Sequence, residues 1–161
     1  MQKIFSLLAL STALGCGLMS GLFFVFSNFA MRAFGSLPPA KGIAAMQAIN
    51  VLILNPLFLF LFMGTALASA ACAIAGIVHW GYPGMRAMLI GGALYVVGCF
   101  VVTMTFNVPR NNVLAALDPE KVESVAVWKD YLSTWTAWNH VRTISTLAAA
   151  AALTIAYRQL P

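Results

Sequence analysis

The chain has 161 residues, of which 61% are hydrophobic and only 8% are charged, and its mean hydropathy is +0.89. An ordinary soluble domain carries about 25% charged residues, so the composition excludes a soluble protein and predicts an integral membrane protein. The net charge of +5 comes from Lys and Arg at the ends of apolar runs, which is typical of membrane flanks and not of nucleic-acid binding. We therefore expect one all-α domain, residues 1–161, surrounded by lipid in a bacterial inner (cytoplasmic) membrane.

The apolar runs predict a four-helix transmembrane bundle, with spans at about residues 4–31, 56–78, 87–108 and 138–157. The first three runs contain no charged residue and are long enough for the ~20 helical residues that cross a bilayer. The last run, residues 143–157, is too short for a crossing. The fourth span must therefore begin near Trp138 and carry Asn139, His140 and Arg142 into the membrane.

Between the first two spans, residues 42–54 are also uncharged and are followed by Asn55-Pro56. Proline disfavours helix at the residue before it and suits a first helical position, so the second span begins at Pro56 with Asn55 as its cap. Residues 42–54 then form either an additional interfacial helix or the first part of a kinked span. In both cases Gln47, Asn50 and Asn55 are the polar side chains at the start of the second span.

Small residues recur at four-residue intervals in the first two spans, which lets helix backbones approach closely within the chain or across a homodimer. They are Ala9, Ala13, Gly17 and Gly21 in the first span, and Gly64, Ala68, Cys72 and Gly76 in the second. The three cysteines stand singly in three different spans, so no disulfide or zinc framework is expected. The distribution of Lys and Arg favours outward termini and a cytoplasmic polar end.

The third span is followed by an unusually polar segment, Asn107-Val108-Pro109-Arg110-Asn111-Asn112. One interpretation is a helix stop, in which Pro109 ends the span and the asparagines satisfy its free carbonyls; the other is a polar site beside the membrane. Further on, Asp118-Pro119-Glu120 combines a capping residue, a proline and an acid, which predicts the start of an amphipathic helix before span four.

The polar residues of span four have two interpretations. Charged groups at this depth usually face a bundle interior or a wet cavity, which indicates a functional site. Alternatively, Arg142 extends to the interface as an anchor beside Trp135 and Trp138. Helical spacing places on one face Trp135, either Trp138 or Asn139, Arg142 and Thr146, whereas His140 lies well around the helix from Arg142.

Together, the polar segment at residues 107–111 and Trp135-Thr136-Ala137-Trp138-Asn139-His140-Val141-Arg142-Thr143 resemble the DUF1772 or anthrone oxygenase-like family of small membrane proteins. Gly21 with its Phe-rich continuation and residues 46–50 extend the resemblance over essentially the whole chain. Relatives with assigned roles oxidise polyketide anthrones to anthraquinones with dioxygen, without a metal or flavin. The resemblance implies a membrane monooxygenase, an oxidoreductase acting on a hydrophobic, aromatic, anthrone-like molecule without a cofactor.

Such a reaction needs a base, donors for an enolate oxygen and an aromatic slot. His140 is then the candidate base, and Arg142, Asn107, Asn111 and Asn139 are candidate donors to the developing oxyanion. Trp135 and Trp138 could stack on a flat ring. The wider substrate-binding set adds the polar residues near the same end, which are Arg110, Asn50 and Asn55.

A non-enzymatic membrane module that binds haem, quinone or a lipid, or that supports a partner protein, is the alternative function. Haem held by two histidines of one chain is disfavoured because His79 and His140 fall at opposite membrane faces, which leaves single-His or cross-protomer ligation. Proton-coupled transport is less expected, because all four carboxylates fall in one extramembrane stretch, residues 118–130.

Overall fold

The computed structural model describes residues 2–160, so the two terminal residues of the predicted domain lie outside the described part. Every regular element within residues 2–160 is helical, which confirms the all-α prediction. The α-helices are α1 (Gln2–Val25), α2 (Met31–Gly35), α3 (Pro39–Leu52), α4 (Pro56–Val78), α5 (Met85–Tyr95), α6 (Val108–Ala115) and α7 (Glu123–Gln159). π-Helical segments at Phe26–Ala30, Val96–Val101 and Thr103–Asn107 join α1 to α2 and α5 to α6.

Three helical stretches are long and apolar enough to cross a membrane: Lys3–Gly35, Pro56–Val78 and Met85–Ala115. They correspond to the first three predicted spans and are compatible with an integral membrane protein. The helix α7 is not among them, although its 37 residues would extend about 55 Å at 1.5 Å per residue. Its N-terminal half is aromatic and polar, and this composition lowers its average hydropathy.

The long helix α7 lies at the centre of the bundle, where it packs along α1 and α5, while α4 packs against α5 and α1. Small side chains make these contacts close. A Cβ atom added at Gly92 of α5 would collide with the backbone of α4 at Ser69 and Ala73. The fully buried Tyr95, Cys99, Ala149 and Leu153 form part of the main apolar core.

A second apolar cluster lies beside the N-terminal half of α7 and is covered by α3 and α6. It includes Ile43, Met46, Leu114, Trp128 and Tyr131. This cluster stands next to the polar residues predicted for the functional site. The helix α3 packs closely on it, since a Cβ atom added at Gly42 would meet the Trp128 ring at 2.9 Å.

The predicted start of the second span is confirmed. The helix α4 begins at Pro56, and the Asn55 side chain accepts a hydrogen bond from the Phe58 amide at 3.0 Å. A turn at residues 53–55 separates α3 from α4, so residues 42–54 belong to a distinct helix that begins earlier than predicted, at Pro39.

Two predicted boundaries are wrong. Pro109 does not end the third helical stretch, which continues to Ala115. Proline lacks an amide hydrogen and its ring crowds the preceding turn, and here the wider π-helical segment Thr103–Asn107 comes directly before α6. The last helix begins at Glu123 and not at Asp118, because the Asp118 carboxylate accepts from the Glu120 amide at 3.1 Å and holds a local turn.

The small-residue stripes only partly face the bundle interior. Ala9 and Cys72 are fully buried, but a Cβ atom added at Gly17, Gly21 or Gly64 would meet no described atom within 4 Å. These glycines are free to face lipid or another chain, so the homodimer stays a prediction.

Candidate functional site

A cavity of about 530 Å³ lies between the C-terminal end of α1, the helix α3, the start of α4, α6 and the N-terminal half of α7. Its volume is within the range of small-molecule sites, roughly 300–1,000 Å³. Most of the lining is apolar, and the polar groups are few: Gln47, Asn50, Thr103, Asn111, Asn112 and Arg142. Such a cavity suits a hydrophobic molecule that is oriented by a small number of hydrogen bonds.

Arg142 is the charged residue among the described lining of this cavity, and only 5% of its surface is exposed. Its guanidinium lies over the Phe23 ring at 4.3 Å and over the Trp135 ring at 5.0 Å. Its hydrogen bonds within residues 2–160 go to neutral oxygens: Nη2 donates to Asn139 Oδ1 at 2.7 Å, and Nη1 donates to Thr103 Oγ1 at 3.3 Å. The Nε atom is buried and has no protein partner in that range.

This environment leaves the Arg142 charge incompletely compensated. Removing a cation from water costs several kcal/mol even after relaxation, whereas a desolvated cation–π contact returns about 2 kcal/mol. The two rings and two neutral oxygens therefore hold the guanidinium in place without neutralising it. An anionic or strongly polarised oxygen in the cavity would complete its environment.

Asn139 fixes the position of Arg142 and does not line the cavity. It is fully buried, and its Nδ2 donates to the Phe23 carbonyl and to Ser27 Oγ, each at 2.7 Å. Its Oδ1 is therefore turned toward Arg142. This amide links α1 to α7 one helical turn before the guanidinium, and the Phe23 carbonyl lies just before the π-helical segment Phe26–Ala30.

Asn111 holds the aromatic wall of the cavity. Its Oδ1 accepts hydrogen bonds from the Tyr131 hydroxyl and from Trp135 Nε1, each at 2.8 Å. The Tyr131 and Trp135 rings stack with their centroids 5.9 Å apart. Burial raises the pKa of the Tyr131 phenol, an effect that the nearby Asn50 amide and the Arg142 charge oppose only in part. Tyr131 is therefore a neutral hydrogen-bond donor.

Two further predicted amides lie close to this wall. Asn107 is 1% exposed and donates to the Trp135 carbonyl at 3.2 Å, while its Oδ1 has no partner among the described residues. Asn50, on α3, lines the cavity, and its Nδ2 is likewise buried without a hydrogen bond to residues 2–160.

Six predicted site residues do not line the cavity. Two of them, Asn107 and Asn139, donate hydrogen bonds to the carbonyls of Trp135 and Phe23, which do line it, and the other four lie elsewhere. His140 is exposed, because it lies two residues from Arg142 and so on another face of α7. Trp138 stacks on Phe106, with centroids 3.6 Å apart. Arg110 donates to Thr134 Oγ1 and to the Phe106 carbonyl, and Asn55 caps α4. The structure thus brings together Arg142, Trp135, Asn111, Asn50, Asn139 and Asn107, and places His140, Trp138, Arg110 and Asn55 elsewhere.

Sequence reasoning missed several residues that complete the site. Phe23 supplies a ring and a carbonyl, Thr103 accepts from Arg142, and Tyr131 anchors Asn111. The available signal was weak: Phe23 and Thr103 stand inside uncharged runs, where aromatic and threonine side chains are ordinary. Gln47, which was placed at the mouth of the second span, donates to the carbonyls of Leu114 and Leu117 and ties α3 to α6.

The two histidines lie at opposite ends of the bundle. His79 packs on Phe5 near the start of α1, with ring centroids 5.1 Å apart, whereas Asn139, the residue before His140, contacts Phe23 and Ser27. Phe5 and Ser27 are about 33 Å apart at the helical rise of 1.5 Å per residue. Within residues 2–160, no group of three or more His, Cys, Asp or Glu could hold a metal ion.

A sequence model of the family described as anthrone oxygenase matches residues 57–152, which is more than half of the chain. No curated protein and no solved structure matches it significantly. The chain belongs to the anthrone oxygenase family, which is cofactor-independent.

Proposed function

We propose that this member of the anthrone oxygenase family is a membrane-embedded oxygenase that oxidises a hydrophobic, planar aromatic ketone of the anthrone type with dioxygen. The observation that carries the proposal is Arg142: a buried cation in an apolar cavity, flanked by two aromatic faces and without a carboxylate partner among residues 2–160. A flat ketone bound in the cavity would bring its oxygen to the guanidinium.

The chemistry requires stabilisation of an enolate. Loss of a proton from the ring carbon opposite the carbonyl delocalises negative charge onto the ketone oxygen, and the resulting carbanion can transfer an electron to dioxygen. Overall, the CH₂ carbon becomes a second carbonyl, one dioxygen is consumed and one water is released. Arg142 would hold the oxygen on which charge develops, which is the arrangement that lowers the barrier to deprotonation.

The proton acceptor is the point at which this proposal departs from the sequence-based one. No His, Asp or Glu is found among the described residues that line the cavity, and His140 lies on an exposed face of α7. We therefore assign the proton to a water molecule inside the cavity. In this mechanism the guanidinium makes the substrate acidic enough for a weak base, and His140 is not required.

The proposal includes a four-span arrangement in which residues 138–157 of α7 form the fourth crossing in a bacterial inner membrane. At the mouth of the cavity, Val51 and Leu54 are 72% and 62% exposed. An apolar mouth of this kind gives a lipid-dissolved substrate access from the bilayer. Leu52 and Leu57, which are also largely exposed, extend the same apolar surface.

The test uses purified protein in lipid nanodiscs with anthrone as substrate, following dioxygen uptake and anthraquinone absorbance above the protein-free rate. Removal of one oxyanion donor typically lowers kcat by about 10²–10³-fold, and we expect that loss for Arg142→Gln. Arg142→Lys should recover only a small part of the lost kcat, since lysine lacks the planar guanidinium group. The matched control is Arg32→Lys at an exposed position. Equal turnover by wild type and both Arg142 variants would refute the proposal.

A non-enzymatic binding role is the second candidate, and the absence of a titratable base among the described lining residues favours it. A quinone carbonyl would satisfy Arg142 as well as a ketone does. The same assay separates the two functions: a binding module would bind anthraquinone without consuming dioxygen when anthrone is supplied.

A further inference from the structure

Two buried N–H donors in the cavity have no partner within residues 2–160, Nε of Arg142 and Nδ2 of Asn50. Buried polar groups in folded proteins are almost always hydrogen-bonded, and each exception needs an explanation. One unpaired donor is accounted for by the single ketone oxygen of the proposed substrate. The second unpaired donor has no partner in the proposed substrate.

Both donors border the same aromatic wall. Asn50 and Trp135 line the same cavity, and the Arg142 guanidinium lies over Trp135, which stacks on Tyr131. A ring system lying along this wall would therefore have one donor from α3 and one from α7 near its edges.

The position of Asn50 on α3 is set by its neighbours. Gln47, which precedes it by one helical turn, donates to the Leu114 and Leu117 carbonyls at 2.9 and 3.0 Å. Met46 on the same turn is 1% exposed and packs in the second apolar cluster. These contacts set the register of α3 and hold the Asn50 backbone beside the cavity.

Asn111 cannot take the same role through its carbonyl oxygen. Its Oδ1 already accepts two hydrogen bonds, from Tyr131 and Trp135. An incoming anionic oxygen needs a donor and not an acceptor, and the unpaired Asn50 Nδ2 is such a donor.

The reaction supplies a partner for the second donor. The ketone begins with one oxygen and the product has two, on opposite edges of the central ring. We propose that Asn50 is a catalytic residue that donates a hydrogen bond to the oxygen added from dioxygen, while Arg142 holds the original ketone oxygen. This inference rests on the proposed oxygenase function and assigns the residue that binds the second oxygen of the product.

The step can be written with all atoms and electrons accounted for. The carbanion passes one electron to dioxygen, and the resulting radical and superoxide join in a carbon–oxygen bond to give a peroxide anion. After this anion is protonated, water removes the remaining proton from the same carbon, the electron pair forms the new carbonyl, and the oxygen–oxygen bond breaks to release hydroxide. That hydroxide and the first proton form the water product. Asn50 stabilises the peroxide oxygen and then the new carbonyl.

The experiment compares Asn50→Leu, which removes the donor at similar size, with Asn28→Leu at an exposed position. We expect Asn50→Leu to lower kcat for anthrone by about 10–100-fold with little change in KM, because the lost contact exists only after oxygen has added. Asn28→Leu should match wild type.

Binding provides a readout that does not depend on turnover. Quenching of tryptophan fluorescence is measured with anthraquinone, which has both oxygens, and with 10,10-dimethylanthrone, which has one and cannot react. Asn50→Leu should weaken anthraquinone binding about tenfold and leave dimethylanthrone binding unchanged, the amount expected for one hydrogen bond. If Asn50→Leu binds neither ligand and has lost its helical circular dichroism, the binding of the same two ligands is compared in Asn50→Ala.

The outcomes separate this inference from the function on which it rests. Equal weakening of both ligands, or a rise in KM with unchanged kcat, would overturn the role of Asn50 while Arg142-dependent oxidation still stood. Failure of the wild type to oxidise anthrone would overturn both.

Discussion

The two halves of α7 belong to one continuous helix but have opposite relations to the bundle. In the C-terminal half, Ala149, Leu153 and Ala156 are fully buried against α1 and α5, and small side chains allow close packing. In the N-terminal half, Trp128 and Tyr131 pack in the second apolar cluster, and a cavity lies beside Trp135 and Arg142. A single helix thus carries one closely packed region and one region that borders the cavity.

The largest expected effect concerns the side of the membrane on which each connecting segment lies. A position is expected to be labelled from one side and not from the other. Single cysteines at Ser36 and Glu120 should react with an impermeant thiol reagent from one side of the membrane, and cysteines at Tyr82 and Gln159 from the other. The native Cys16, Cys72 and Cys99 are buried and should give little background. Labelling of positions 36 and 120 from opposite sides would show that the four-span arrangement is wrong.

Loss of the Asn139 hydrogen bonds in the N-terminal half of α7 should reduce activity strongly. Asn139→Leu removes the acceptor of Arg142 and leaves the Phe23 carbonyl and Ser27 without their donor. We expect kcat/KM for anthrone to fall about 100-fold, since a displaced guanidinium no longer meets the enolate oxygen. Steady-state assays normalised to folded protein measure this, with Ser133→Ala at an exposed site as the control. Unchanged activity would mean that Asn139 does not position Arg142.

A substitution in the closely packed C-terminal half of α7 should lower stability without affecting catalysis. Ala149 is 0% exposed, so Ala149→Leu overfills the core and should lower the free energy of unfolding by about 1–3 kcal/mol. The matched variant is Ala151→Leu two positions away, at an exposed position of α7. Thermal unfolding in detergent followed by circular dichroism measures the difference. A loss of kcat/KM in the folded Ala149→Leu protein would contradict the division between the two halves.

The smallest expected effect is at His140. Because this side chain is exposed and the cavity excludes it, His140→Gln should keep kcat/KM within about twofold of wild type, as surface substitutions usually do. The dependence of kcat/KM on pH should have the same shape in both proteins. A large loss of kcat/KM in His140→Gln, together with a changed pH profile, would restore His140 as the base.

The sequence predicted those features that depend on local chemistry. Asn55-Pro56 started a helix because the cap and the proline act on adjacent residues. Arg142 was placed within the membrane because residues 143–157 are too few to cross a bilayer, and burial in the bundle was one of its two interpretations. The path of the third helix was missed, since the π-helical segment that precedes Pro109 has no sequence signature in an uncharged run. The cavity was also missed in part, because Phe23 and Thr103 meet Arg142 only after distant helices pack. His140 and Arg142 are neighbours in sequence, but helical geometry separates them.

The central claim is that Arg142 holds the oxygen of a bound enolate, and anaerobic titration tests it most directly. Anthrone bound to the protein in nanodiscs, with dioxygen excluded, is titrated with base while the enolate absorption is followed. The account predicts that the wild type lowers the pKa of bound anthrone by about 2 units relative to anthrone in empty nanodiscs, as expected for a nearby opposite charge, and that Arg142→Gln abolishes the shift. The same titration midpoint for anthrone in empty nanodiscs, in the wild type and in Arg142→Gln would contradict it.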